Sequence, residues 1–259
     1  MRVDYDQIAE KFDLRYQTNS LDSIENALAD LVHGTPDNAI LEVGCGTGRW
    51  LAGVKDHFEG VRLYGLDFSF GMLEQAQKHP APLKLLQGKA SQLPFKTNAF
   101  DLIFCVNALH HFHNPEKFVR QGWQLLNPHG KLAIVGQVPK DRRNRWYVYD
   151  YFEGIYKTDL ERFPTWGNAV DWMVSAGFDA IEWRPLHWIL DDKQGWEVLD
   201  DPFLQKHAVS QLAILSDADY DAGIEKIKNA LKKAEENNET LTFPTRLRLD
   251  LLVGIKSQE

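Results

Sequence analysis

The sequence contains few cysteines, no long apolar run and no excess of positive charge. Its 259 residues include two cysteines, Cys45 and Cys105, whose separation does not suit a metal site and which favour a reducing, cytoplasmic setting. No stretch approaches the roughly 18 apolar residues that a membrane-spanning helix needs, and the charged first residues do not form a signal peptide. The net charge of −8 argues against nucleic acid or an anionic membrane as a partner.

Segments typical of strands and helices alternate along most of the chain. The predicted strands are 39–43, 61–66, 83–87, 101–106, 131–136, 178–183 and 245–256. The predicted helices between them are 49–57, 69–78, 114–126 and 165–176. Strands that alternate with helices form right-handed parallel βαβ units with helices on both faces of the sheet. The last strand alternates leucines with polar residues, which indicates an antiparallel or edge strand with one face partly exposed.

This pattern predicts an α/β fold with a doubly wound, mostly parallel seven-stranded sheet and an antiparallel last strand. We expect a single domain over 1–259, with a core made of about 36–136, 165–184 and 245–256. The remaining segments are 1–33, 137–164 and 185–244. The last two follow parallel strands, so we expect a helical cap at the carboxyl edge of the sheet, where ligands of such folds bind.

The most informative segment is a glycine-rich turn after the first predicted strand. It reads LEVGCGTG and places Gly44, Gly46 and Gly48 where a strand passes into a helix, so that bare backbone can approach a ligand. The spacing is GxGxG, whereas the dinucleotide fingerprint GxGxxG would need its third glycine at Arg49. Asp67 ends the second predicted strand, where its carboxylate can accept hydrogen bonds from both ribose hydroxyls.

Four motifs occur in order: LEVGCGTG, GLDFSFGML, LPFKTNAFDLIFCVNALHHF and LLNPHGKLAIV. Together they resemble the class I S-adenosylmethionine-dependent methyltransferases, in particular the small-molecule type of ubiquinone and menaquinone biosynthesis. The resemblance covers about residues 39–136 and extends more loosely to YDQIAEKFD near the N-terminus. It implies a Rossmann-like fold, S-adenosylmethionine as cofactor with S-adenosylhomocysteine as product, and a small-molecule methyl acceptor.

The resemblance also implies roles for individual residues. Gly44, Cys45, Gly46 and Gly48 would form the turn beneath the cofactor, with Glu42 near its amino group. Asp67 would hold the ribose. The remaining residues implied at the cofactor are Phe68 and Met72 around the adenine, Ala90 and Ser91 at its edge, Asn107 and Leu109 at the sulfonium end, and Phe12 and Tyr16 as a cover. Lys89 occupies a position where the family often has an acidic residue that accepts from the adenine amino group, and a lysine cannot accept a hydrogen bond.

The candidates for chemistry beyond the cofactor follow the fourth and fifth predicted strands. His111 and His110 are interpreted as general bases, and packing of the loop is the alternative interpretation. No carboxylate or cysteine accompanies the histidines at ligand spacing, so no metal site is expected. Tyr147, Tyr149 and Asp150 are candidates for contact with the substrate.

Two other functions compete with methyl transfer. A nicotinamide oxidoreductase would need GxGxxG and a catalytic Tyr-x-x-x-Lys, and the sequence has neither. A protein that binds S-adenosylmethionine for other chemistry, or without catalysis, remains the alternative. The sequence predicts no oligomeric state and does not identify the acceptor.

Overall fold

The computed structural model describes residues 3–16, 21–32 and 38–257. The chain divides into two compact units. We call residues 21–138, 163–187 and 249–259 the sheet unit, and residues 1–20, 139–162 and 188–248 the second unit. No helix within the described ranges combines the length and apolar character needed to cross a membrane.

The sheet unit is built on five parallel strands. They are β1 Ala39–Val43, β2 Arg62–Asp67, β3 Leu83–Gln87, β4 Phe100–Val106 and β5 Leu126–Gly136. Their order is β3-β2-β1-β4-β5, and the end of β8 (Thr242–Ile255) adds antiparallel to β5. The strand β7 (Ala180–Gln194) pairs with β8. The chain moves outward from β1 to β3 and then returns to β4, so the carboxyl ends of β1 and β4 border the crevice where such sheets bind ligands.

The described part of the sheet unit contains five α-helices. They are α1 Asp22–Ala29, α2 Arg49–Lys55, α3 Phe70–Ala76, α4 Pro115–Leu125 and α7 Trp166–Ala176, with a short 3-10 helix at Leu109–His111. Ser69 and Asn114 accept hydrogen bonds from the first turns of α3 and α4, and Thr165 forms a capping box with Asn168. These helices bury apolar side chains such as Phe118 and Met173 in one core with the sheet.

The second unit is largely helical. It holds 3-10 helices at Ala9–Tyr16, Gly195–Asp200 and Pro202–Leu204, the short strand β6 Arg145–Trp146, and helices α5 Val148–Tyr151, α6 Ile155–Arg162, α8 Ser210–Ala213 and α9 Asp217–Glu236. The helix α9 is amphipathic: it buries Ile227, Leu231 and Ala234, whereas Ile224 is half-buried.

The expected α/β architecture is confirmed, but three details of the sheet were wrong. β5 begins at Leu126 instead of residue 131, because Leu126 pairs with Phe100 before the register shifts. β7 continues to Gln194, well past the predicted end at 183. The two-residue β6, which pairs with β8, adds an eighth strand within the described residues.

The last strand is antiparallel to β5, as expected, but its polar face is exposed only at Arg246. The other two polar residues that indicated an exposed face, Arg248 and Asp250, are only 4% and 2% exposed. Arg248 lies 3.1 Å from a carboxylate oxygen of Asp141 within the second unit. Asp250 accepts a hydrogen bond from the Trp183 indole at 3.1 Å within the sheet unit. Polar residues with such partners can be buried in a strand without breaking its alternation.

Candidate active site

The turn between β1 and α2 contains three glycines in left-handed conformation and is fixed by backbone hydrogen bonds. Gly44, Gly46 and Gly48 have φ angles of +73°, +52° and +77°. The N–H groups of Gly44 and Cys45 both donate to the Leu66 carbonyl, at 2.7 and 3.2 Å. This fixes the turn to the end of β2, next to Asp67.

The three glycines serve two different purposes. A Cβ on Gly44 would lie 2.7 Å from the Ala108 Cβ, so packing requires glycine there. A Cβ on Gly48 would lie 3.0 Å from the Leu83 side chain, a tight contact that adds to the strain of its positive φ. A Cβ on Gly46 would meet no atom within 4 Å. The backbone at Gly46 therefore borders open space, where a ligand can approach it closely.

Asp67 links the turn to the start of α3. Its Oδ2 accepts the Gly46 N–H at 2.8 Å and its Oδ1 accepts the Ser69 N–H at 2.9 Å. The side chain is half-buried at the carboxyl end of β2. These bonds hold the carboxylate in one orientation beside the open face of Gly46, in the position that the sequence predicts for ribose recognition.

Glu42 lies in β1, two residues before Gly44, and its carboxyl group is fully buried. Its Oε2 accepts the Leu51 N–H at 3.1 Å, whereas its buried Oε1 has no hydrogen-bond partner. Burial, and to a smaller extent the negative charge of Asp67, raise the pKa of Glu42 well above its ordinary value, although the bond from Leu51 opposes this. A buried acceptor of this kind suits a cationic ligand group that brings its own donors.

Replacing Glu42 with glutamine is expected to stabilise the ligand-free protein as the pH rises. Because the pKa of Glu42 is raised in the folded state, its contribution to stability is full below the unfolded value of about 4.3 and is lost as the pH rises toward the folded value. The glutamine side chain does not ionise, so the free energy of unfolding of the Glu42→Gln variant should rise relative to the wild type between pH 5 and pH 8. Urea titrations at several pH values measure this, with the exposed Glu74→Gln as control. A gain that is the same at pH 5 and pH 8 would contradict the assignment.

The residues expected around an adenine differ in exposure. Phe68 follows Asp67 and is 49% exposed, whereas Met72 in α3 is only 2% exposed and offers little surface to a ligand. Ala90 and Ser91 are half-buried after β3. The side chain of Lys89 is exposed. Phe68 follows the end of β2, and Ala90 and Ser91 follow the end of β3. Contacts of these residues with a ligand remain predictions.

A small, partly open cavity of about 20 Å³ lies at the carboxyl ends of β4 and β5. It includes both residues predicted for the sulfonium end, Asn107 and Leu109. Asn107 has a φ of +49° and donates its N–H to the Val135 carbonyl at 2.8 Å, which turns the chain out of β4. Further lining residues are His110, Gly136, Phe163 and Trp166.

The histidines after β4 have different positions. His110 lines the cavity, and its ring stacks on Phe163 with centroids 3.8 Å apart and planes inclined by 12°. The His111 ring lies 3.9 Å from that of His110 but outside the cavity lining, and His113 is exposed. Within the described residues, no group of histidine, cysteine and carboxylate side chains is arranged to hold a metal ion.

The predicted substrate residues belong to the second unit. The Tyr147 hydroxyl donates to Asp201 at 2.7 Å, and its side chain is only 1% exposed. The Tyr149 hydroxyl donates to Asp159 at 2.9 Å, whereas Asp150 is exposed. Both tyrosine hydroxyls therefore stabilise buried carboxylates, which accounts for their position without a ligand.

Two further predicted residues lie in the N-terminal part of the second unit. The Phe12 ring packs edge-on against Tyr5, with centroids 5.8 Å apart. The side chain of Tyr16 lies outside the described part of the chain. A covering role for both residues stays a prediction.

Replacing Tyr149 with Phe is expected to lower the free energy of unfolding by about 1–3 kcal/mol, because the fully buried Asp159 loses a donor. Arg162 also lies near Asp159, with its Nη1 at 3.6 Å from Oδ1. Denaturant titration measures the change. Tyr156→Phe is a matched control, because Tyr156 packs on Tyr149 but is 43% exposed. Equal stability of the two variants would show that the Tyr149 hydroxyl has no structural role.

Gly136, Phe163 and Trp166 are among the cavity residues that the sequence did not indicate. Gly136 ends the fifth predicted strand. A glycine at the carboxyl edge of the sheet, where ligands bind, could have indicated a cavity residue. Phe163 and Trp166 lie around the start of α7, which the sequence places in the fold but not next to β4. Their role follows from tertiary structure alone.

Comparison with known proteins supports the resemblance found in the motifs. Residues 41–134 match the family described as a methyltransferase domain. The demethylmenaquinone methyltransferase of Renibacterium salmoninarum is 28% identical over 134 residues, which are 51% of this chain and 56% of that protein. The chain thus spans about half the length of the curated relatives that it matches.

Solved structures share the fold at low sequence identity. The YcgJ protein of Bacillus subtilis superposes with a TM-score of 0.61 at 18% identity, covering 92% of this chain and 100% of that one. Phosphoethanolamine N-methyltransferase 2 of Haemonchus contortus, in complex with phosphomonomethylethanolamine and S-adenosylhomocysteine, gives 0.63 at 17% identity and covers 98% of this chain and 58% of that one. The Rossmann-like fold and the resemblance to class I S-adenosylmethionine-dependent methyltransferases are confirmed.

Proposed function

We propose that this protein is an S-adenosylmethionine-dependent methyltransferase that acts on a small molecule. The observation that carries the proposal is the arrangement of Gly46 and Asp67. Asp67 is fixed by the Gly46 N–H at 2.8 Å, and the same glycine borders open space in which a side chain would meet no atom within 4 Å. A carboxylate held beside accessible backbone is suited to a ribose attached to an extended chain.

The residues around this turn fit the parts of the proposed cofactor. Gly44, Cys45 and Gly46 would pass beneath its methionine part. Glu42 would accept a hydrogen bond from its amino group, for which the buried and unpartnered Oε1 is suited. Asp67 would hold the ribose hydroxyls. The Haemonchus relative, whose structure contains S-adenosylhomocysteine, supports this choice of ligand.

The other implied residues complete the proposed cofactor site. Phe68 has an exposed ring at the position expected for stacking on the adenine. Asn107 and Leu109 line the cavity at the end of β4 and would contact the sulfonium end. When bound, S-adenosylmethionine supplies an electrophilic methyl group on a positively charged sulfur.

The contribution of the protein to methyl transfer is mainly alignment and the exclusion of water. The acceptor must lie behind the methyl group and in line with the bond that breaks. His110 is the preferred candidate for a general base, because it lines the cavity next to Asn107 and Leu109, and His111 is the second candidate. An acceptor that is already ionised, or a free amine, would need neither histidine.

A transfer assay separates an enzyme from a protein that only binds the cofactor. The protein would be incubated with S-adenosylmethionine carrying an isotopically labelled methyl group and a small-molecule extract of its source cells. We expect a labelled small molecule and an equal amount of S-adenosylhomocysteine, with neither formed by Asp67→Ala. Tight binding without transfer to any extract would favour a non-catalytic role.

The proposed partners follow from charge and cysteine chemistry. A small-molecule acceptor agrees better than nucleic acid with the net charge of −8. Cys45 and Cys105 are both buried as free thiols, and this supports a reducing compartment such as the cytoplasm. Burial raises the pKa of both thiols, so neither is suited to act as a nucleophile.

A further inference from the structure

A short antiparallel pair in the second unit places two arginines directly opposite each other. Arg145 of β6 is the Cα partner of Arg246 in β8, and both side chains are exposed. The adjacent partners, Trp146 and Thr245, are buried, so the two arginines lie on the exposed face of the pair. Like charges in directly opposite positions destabilise a β pair, and an anion between them would remove this cost.

Two more guanidinium groups lie beside this pair. Arg248 follows Arg246 by two residues in β8 and therefore points to the same face. Its Nη2 lies 3.1 Å from a carboxylate oxygen of Asp141. The same carboxylate accepts hydrogen bonds from the Arg143 Nε at 2.9 Å and from its Nη2 at 2.7 Å. We call these four residues the arginine cluster: Arg143, Arg145, Arg246 and Arg248.

The carboxylates at the arginine cluster orient its guanidinium groups without balancing their charge. Asp141 contacts two arginines at once, and Asp192 accepts a hydrogen bond from the Arg246 Nη2 at 2.7 Å. Among the residues that the structure describes, no carboxylate forms an ion pair with Arg145, or with the exposed Arg142 of the preceding turn. The cluster therefore keeps an excess of positive charge in a chain whose net charge is −8.

A phosphate or diphosphate group matches this arrangement. The planar fork of an arginine binds phosphate oxygens through two parallel hydrogen bonds. Arg143 and Arg246 are already oriented by their carboxylates, so they lose little side-chain freedom when an anion binds. A long polyanion would extend beyond the cluster over the surface of an acidic chain, whereas a small phosphorylated molecule would meet the cluster alone.

We propose that the arginine cluster is a binding site for the phosphate or diphosphate group of a small molecule. An anion between Arg145 and Arg246 replaces the repulsion across the β pair with two attractive contacts. The site does not depend on the proposed function, because no part of methyl transfer is assigned to these residues.

Inorganic pyrophosphate is the probe for this site, and calorimetry on the full chain measures its binding. We expect the wild type to bind pyrophosphate at the arginine cluster, and Arg145→Gln to bind it about tenfold more weakly or worse, because a charge-assisted contact is lost. The control is Arg120→Gln, at an exposed arginine of α4 in the sheet unit, which should bind like the wild type. No binding of pyrophosphate, or equal binding by the wild type and Arg145→Gln, would overturn the proposal.

Stability measurements separate a role at the anion from a role in the fold. Without pyrophosphate, Arg145→Gln should resist urea at least as well as the wild type, because the substitution relieves the repulsion from Arg246. A variant that loses stability together with affinity would contradict the assignment. S-adenosylhomocysteine should bind equally to the wild type and to Arg145→Gln, so failure of the methyltransferase proposal and failure of this one give different results.

Larger anionic partners are tested in parallel. The protein would be sedimented with phosphatidylcholine vesicles that contain phosphatidic acid, and titrated with a single-stranded oligonucleotide. We expect neither to bind more tightly than pyrophosphate. Binding of the vesicles or of the oligonucleotide without binding of pyrophosphate would assign the cluster to a membrane or a nucleic acid and would overturn the proposal.

Discussion

Asp67→Ala is expected to weaken the binding of S-adenosylhomocysteine by about 100-fold or more. Two hydrogen bonds from ribose hydroxyls to a carboxylate contribute about 1.5–3 kcal/mol each, and 1.4 kcal/mol corresponds to a factor of ten. The variant also releases the Gly46 and Ser69 N–H groups, which the two carboxylate oxygens now hold at 2.8 and 2.9 Å. The turn would then lose its orientation as well as its ribose contact.

A matched control for this variant lies at the opposite edge of the sheet. Asp101 also accepts a backbone N–H, that of Ala39 at 2.8 Å, and a side-chain bond from Asn127 at 2.8 Å. Asp101→Ala should therefore lower the free energy of unfolding by an amount similar to Asp67→Ala while leaving ligand affinity unchanged. Equal losses of affinity in both variants would show that Asp67 acts through general stability and not at the ligand.

Gly44→Ala is expected to lower the free energy of unfolding by about 3 kcal/mol. A φ of +73° disfavours any residue with a Cβ by about 1 kcal/mol or more, and the new Cβ would lie 2.7 Å from that of Ala108. Overpacking of a well-filled core adds typically about 1–3 kcal/mol. Such a loss is a large share of the roughly 5–15 kcal/mol by which domains are usually stable. Urea denaturation measures it.

The companion variant Gly46→Ala separates backbone strain from packing. Its φ of +52° is also left-handed, but its Cβ would meet no atom within 4 Å, so the cost should stay near about 1 kcal/mol. Because the added methyl group would occupy the open side of the turn, this variant should lose affinity for S-adenosylhomocysteine despite remaining folded. A Gly46→Ala protein that binds like the wild type would mean that no ligand approaches this backbone.

The strands closest to the site could be predicted from the sequence because their signals are local. β1 and β3 occupy the predicted ranges 39–43 and 83–87, since each is a short apolar run with clear boundaries. The starts of α3 and α4 follow from Ser69 and Asn114, whose side chains cap the first turn. The glycine turn follows β1, and Asp67 is the last residue of β2. Their proximity could therefore be predicted from the sequence.

The errors arise where long-range partners decide the outcome. The polar residues of β8 indicated a partly exposed face, but only Arg246 is exposed, because Arg248 pairs with Asp141 and Asp250 accepts from Trp183. For Tyr147 and Tyr149 a substrate contact stays a prediction, but the bonds from their hydroxyls to Asp201 and Asp159 could not be predicted from the sequence either. Pattern and spacing carry no information on partners that are distant in sequence.

The lining of the cavity also depends on residues that are distant in sequence. Asn107 and Leu109 could be placed at the end of β4, but the stack of Phe163 on His110 requires the chain after α6 to return to that strand. The family resemblance also fades after the fifth predicted strand, in the part of the chain that contributes Phe163 and Trp166.

Titration of the wild-type protein with S-adenosylmethionine, S-adenosylhomocysteine and NAD by calorimetry tests the central claim most directly. The arrangement of Gly46, Asp67 and Glu42 predicts micromolar binding of both sulfur ligands with one site per chain, and no binding of NAD. Failure of both sulfur ligands to bind, or preferential binding of NAD, would contradict the methyltransferase proposal.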